Sequence, residues 1–82
     1  MTQPKVAPLP VGTIVGGYRI QRKISSGGFG LVYLAHDSSG QPVAIKEYLP
    51  SALVQRASGE RVPQVPPDKL SLYHLGLKNF FE

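Results

Sequence analysis

Ile24-Ser25-Ser26-Gly27-Gly28-Phe29-Gly30-Leu31-Val32 is a turn-forming cluster set between two strand-forming runs, and the way the chain leaves it decides the fold. Before the cluster, Tyr18-Arg19-Ile20-Gln21-Arg22-Lys23-Ile24 places Tyr18, Ile20 and Ile24 on one face at period two, the pattern of a half-buried strand. After it, Leu31-Val32-Tyr33-Leu34-Ala35 is rich in β-favouring residues, so the two runs and their glycine turn make a hairpin. His36-Asp37-Ser38-Ser39-Gly40-Gln41-Pro42 has turn chemistry, and Val43-Ala44-Ile45-Lys46-Glu47-Tyr48-Leu49 resumes as a third strand. The simplest topology is a three-stranded antiparallel meander.

Working outward, Pro50 closes the third strand and begins a long connection. It holds a helical turn at Ser51 to Arg56, a turn at Ser58-Gly59, and extended residues around Pro63, Pro66 and Pro67. From Asp68 onward, Leu70, Tyr73, Leu77, Phe80 and Phe81 recur at three- and four-residue spacing, which predicts an amphipathic helix entered through a proline and a capping-type aspartate. Gly76 weakens its interior. The fold class is therefore α+β: a meander followed by a C-terminal helix. In the other direction, residues 1–11, with Pro4, Pro8 and Pro10, lack periodicity, so a flexible or extended arm is expected over 1–16.

With 82 residues, 41% hydrophobic and 17% charged, the chain suits one small globular unit of modest stability. It has no cysteine, which excludes a disulfide framework. No apolar run has the length of a signal peptide or a membrane span, and a cytoplasmic protein is expected. The net charge of +4 suits a polyanion, but the basic residues are scattered, with Arg22-Lys23 the one adjacent pair, which argues against a nucleic-acid stripe. His36 and Asp37 read as turn residues and His74 as helix surface; none enters a metal or triad pattern.

A glycine loop allows backbone N–H groups to approach phosphate oxygens and to adopt angles closed to other residues. By itself it is more often a plain turn. A dinucleotide-binding turn must open a helix, whereas a strand follows here. A Walker loop must close on Gly-Lys-Ser or Gly-Lys-Thr, and none is present. A phosphate cover made from a β-hairpin remains.

The residues 24 to 32, followed one strand and one turn later by Val43-Ala44-Ile45-Lys46, resemble the glycine-rich loop and lysine strand that open the protein kinase family. The resemblance covers residues 17–82. Tyr18-Arg19-Ile20 and Lys46-Glu47-Tyr48-Leu49-Pro50 look most like bacterial serine/threonine kinases. It implies a partial N-terminal lobe that binds ATP with Mg²⁺ and, in a longer parent, passes the γ-phosphoryl group to protein hydroxyls.

Carried over residue by residue, Ile24, Ser25, Ser26, Gly27, Gly28, Phe29, Gly30, Leu31 and Val32 would cover the nucleotide, with Ile24 facing it, Phe29 at the loop tip and Val32 against adenine. Ser25 departs from the family's usual glycine, which bears on ATP affinity more than on fold. Ala44 and Lys46, two apart on a strand, share a face, so the alanine leaves room for a base while the lysine reaches the phosphates. Lys46 is the one catalytic candidate. The family pairs this lysine with a glutamate on the next helix. Glu82 stands in that segment but, at about 100° per residue, falls roughly 150° from the apolar face, so the residue after it is the expected partner.

The sequence has no His-Arg-Asp loop and no Asp-Phe-Gly motif, which in this family supply the base and the magnesium ligands. The chain alone is therefore expected to be inactive, and its run into an unfinished helix suggests a fragment. A kinase-like lobe that self-associates through an exposed sheet edge or helix face is the non-catalytic alternative.

Overall fold

The structure, a computed structural model, describes residues 6–80. Its sheet is antiparallel with four strands in the order β1-β2-β3-β4: Ile14–Val15, Tyr18–Ser26, Gly30–His36 and Pro42–Tyr48. The expected three-stranded meander therefore gains a short edge strand. The reason is local: Gly16 and Gly17 both take positive φ, 54° and 87°, as the tightest hairpin turn requires, and they bring Val15 opposite Tyr18.

Alternation along β3 is complete. Leu31, Tyr33 and Ala35 are buried on one face, while Val32 and Leu34 lie on the other. Its pairing with β4 sets Lys46 opposite Val32, Ala44 opposite Leu34, and Ile45 opposite Tyr33. Strand β2 does not keep the simple alternation, because its register slips between Ile20 and Arg22 and again between Lys23 and Ser25. Each slip turns the following side chains over. Of the residues expected on one buried face, Ile20 is buried while Tyr18 and Ile24 are exposed.

The core forms around Ile20, Leu31, Tyr33, Ala35, Leu49 and Val54, with Val6, Leu9, Val43, Ile45 and Val65 packed against it. Part of this cover comes from the stretch expected to be a flexible or extended arm, which is extended and bonded here. Ala7 N–H donates to Arg56 O at 2.8 Å, Gly12 N–H to Ile20 O at 2.8 Å, and Leu9 N–H to the Tyr33 hydroxyl at 2.9 Å. Extended residues that bond to distant partners leave no periodic signature, and prolines hide them further. The connection after β4 starts with a turn, Val54 N–H donating to Pro50 O, and then folds back so that Gln55 pairs with Gln64 instead of continuing as a helix.

A 3₁₀ turn, Pro67–Lys69, leads into helix α1, Leu70–Phe80. Asp68 sits in this first turn and provides no side-chain cap. The helix face that meets the sheet carries Tyr73, Gly76 and Phe80; Leu70 and Leu77, expected there, are 40% and 37% exposed, and Phe81 lies outside the described residues. Gly76 is not a weak point: the ring of Tyr48 packs where a Cβ would stand, and the Tyr48 hydroxyl donates to Tyr73 O at 3.0 Å. Tyr48 also meets the rings of Tyr73 and Phe80 at 5.1 and 5.3 Å between centroids. Among the described residues no helix is long and apolar enough to cross a membrane.

Candidate functional site

The loop between β2 and β3 closes with Gly27 N–H donating to Gly30 O at 2.9 Å. Its tip is tied to the segment following β4, since Leu49 N–H donates to Phe29 O at 2.9 Å and Ser51 N–H to Gly28 O at 3.1 Å. The glycines serve different ends. Around Gly27 and Gly28 a Cβ would meet nothing within 4 Å, and neither takes positive φ, contrary to the expectation of unusual backbone angles. Gly30 lies so close to the Glu47 carbonyl oxygen that no Cβ fits, and the Phe80 ring stands 3.1 Å from the same point. Ser25, paired with Val32 directly after the second slip of β2, takes no positive φ, so its backbone is open to any residue.

Beneath this loop is a cavity of about 340 Å³. Its walls are Ser25, Ser26, Gly27, Gly28, Phe29, Gly30, Leu31, Val32, Lys46 and Phe80. The Lys46 ammonium lies 5.1 Å from the centre of the Phe80 ring, within cation–π range. Two of the expected site residues fall outside the walls: Ile24 sits at a register slip of β2, exposed, and Ala44 lies farther along the Lys46 face. Leu31 reaches the cavity although its side chain is buried in the core. Glu82 lies outside the described residues. Phe80, read from the sequence as a core contact, is a wall of this cavity.

The opposite face of β4 carries a network that sequence reasoning missed. Arg56 is buried, and its guanidinium donates to both Glu47 carboxylate oxygens, at 2.7 Å to Oε2 and 2.8 Å to Oε1. It also donates through Nε to Ala7 O at 2.9 Å and through a terminal nitrogen to the Tyr33 hydroxyl at 3.2 Å. Tyr33 in turn donates to Glu47 Oε1 at 2.7 Å. A signal was available: Glu47 falls at the same parity as Val43 and Ile45, and an acid on the core side of a strand requires a buried cation.

Burial, and then the hydrogen bond to Glu47, push the Tyr33 phenol up to about 12. Its folded pKa thus lies above the unfolded value, so the stability it contributes is complete below pH about 10 and is lost as pH rises toward about 12. Alkaline titration followed by circular dichroism should show unfolding across that window, with the transition flattened in Tyr33→Phe. At the β3–β4 turn, Asp37 accepts from the Gln41 N–H and from the Ser39 hydroxyl and N–H, which hold its carboxyl below the usual range; this is the turn role read from the sequence. Among the described residues no cluster of His, Cys, Asp or Glu could hold a metal ion.

A solved structure, PpkA-294 in its apo form, superimposes on this chain with a TM-score of 0.81 and 33% identity over 90% of the chain. The fold is that of a kinase N-lobe. The chain spans 27% of the length of that structure. No family model and no curated protein matches the sequence.

Proposed function

We propose that this chain is the ATP-holding portion of a bacterial-type serine/threonine protein kinase, with residues 17–82 forming part of its N-terminal lobe and 1–16 leading into it. The observation that carries the reading is that the loop residues 25–32 and Lys46, separate in sequence, wall one cavity. A cavity of about 340 Å³ is at the small end of ligand sites and suits a phosphate tail, with the base lying out along Val32 and Ala44. Lys46 supplies a positive charge for the α- and β-phosphates, and open backbone at Gly27 and Gly28 lets phosphate oxygens approach. Bound Mg²⁺ would neutralise phosphate charge, and the motifs whose aspartate and asparagine hold it in kinases do not occur in these 82 residues.

The chain alone is expected to bind Mg-ATP weakly and to transfer no phosphoryl group; a full parent would act on protein hydroxyls in the cytoplasm. Titrating labelled chain with Mg-ATP should move the resonances of Gly27, Gly28, Gly30 and Lys46 together. Lys46→Met should weaken the response by about tenfold or more, since a charge-assisted bond is worth about 1.5–3 kcal/mol. Shifts confined to other residues, or an unaltered response in Lys46→Met, overturn the assignment.

One observation favours the non-catalytic alternative. Among the described residues β4 pairs only with β3, and an apolar cavity of about 460 Å³ lies beside it, with Ile14, Val15, Ile45 and Leu77 in its walls. Light scattering that finds a strict monomer at high concentration removes self-association as the reading.

A further inference from the structure

We propose that Glu47, gripped by Arg56, is a positioning residue through which the N-terminal segment Val6–Leu9 sets the geometry of the Lys46 cavity. Its functional weight rests on the reading of Lys46 as the phosphate-binding residue. Glu47 occupies a junction. It follows Lys46 directly in β4, so the two side chains leave opposite faces and the strand cannot rotate at one without moving the other. Its carbonyl oxygen presses on Gly30, the last glycine of the loop, leaving no room for a Cβ between them. Its carboxylate takes both arms of Arg56 and the Tyr33 hydroxyl.

The N-terminal segment bonds to the same two groups from the other side. Ala7 O accepts from Arg56 Nε at 2.9 Å, and Leu9 N–H donates to the Tyr33 hydroxyl at 2.9 Å. Hydrogen bonds, charge-assisted and neutral, therefore run from Ala7 and Leu9 to the Glu47 carboxylate, and the Glu47 backbone meets the loop by close approach at Gly30 and Lys46 by the chain itself. The Arg56 side chain is fully enclosed and the Glu47 side chain only 20% exposed, so the pair is held more tightly than a surface pair.

The test needs no nucleotide. In the chain of residues 1–82, the side-chain resonances of Lys46 and the amide resonance of Gly30 are followed in Glu47→Gln, Arg56→Lys and Leu9→Pro, the last of which deletes the N–H given to Tyr33. Val54→Ala serves as control: it opens the same core without touching a polar atom of the network. All spectra are taken below each variant's melting transition. The expected result is displacement of both reporter signals in the three network variants, and unmoved reporters in Val54→Ala despite its lower melting temperature. If Arg56→Lys does not fold, Glu47→Gln, which keeps the shape and loses the charge, decides alone. Unmoved reporters in folded Glu47→Gln, equal displacement in Val54→Ala, or unmoved reporters in folded Leu9→Pro overturn the proposal. A coupling seen here with no Mg-ATP response in the unmodified chain would instead sink the nucleotide reading.

Discussion

Arg56→Met is expected to destabilise the fold by about 3–5 kcal/mol, the cost of breaking a buried ion pair from one side. The methionine fills much of the space but leaves the Glu47 carboxylate facing a buried hydroxyl without its cation, and Ala7 O without its donor. An unpaired charge and an unpaired carbonyl each cost more than the bonds they made. A small domain has little more than this to lose, so circular dichroism should find the variant largely unfolded at room temperature. Adding Glu47→Leu to Arg56→Met should recover a substantial part of the loss, because a hydrophobic pair of similar volume needs no desolvation of charge. Two single replacements that each cost less than about 0.5 kcal/mol, the range of ordinary surface changes, would show that the network is not holding the fold.

Gly30→Ala should produce the next largest loss, and the contrast within its own loop is the informative part. The added methyl would enter the Glu47 carbonyl, which belongs to β4 and cannot yield without breaking the β3–β4 register. Overpacking of this kind costs about 1–3 kcal/mol and sometimes more. In Gly28→Ala the methyl meets nothing within 4 Å and the backbone takes no left-handed angle, so stability should stay within about 0.5 kcal/mol. Urea denaturation of the two variants side by side measures the difference. Equal losses would mean that the loop glycines matter through chain flexibility and not through the close approach at Gly30.

Much of the hairpin and the lysine strand was legible because β3 and β4 alternate strictly, so parity alone put Ala44 and Lys46 on one face. Strand β2 was misread for the opposite reason: two register slips turn Ile24 to solvent, and no residue type announces a slip. The edge strand Ile14–Val15 is too short to show a period; its sign was the Gly16-Gly17 pair, read only as a boundary. At the site, the loop and Lys46 were visible as motifs. Phe80 was visible as an aromatic at helical spacing, but which neighbour it would meet depends on how α1 crosses the sheet, and spacing carries no such information. Arg56 was read as the end of a helical turn and as one of the scattered basic residues, although the parity of Glu47 pointed to a cation on the core side.

The bond between Ala7 and Arg56 spans 49 positions of the chain. Synthesis proceeds from the N-terminus, so residues 6–9 emerge from the ribosome well before the arginine that receives them exists. Until then the sheet lacks its outer cover, and the nascent polypeptide carries Tyr33 and Glu47 without their cation. Residues 6–9 are thus fastened only once residue 56 has been made, and the closing of the lobe waits for it.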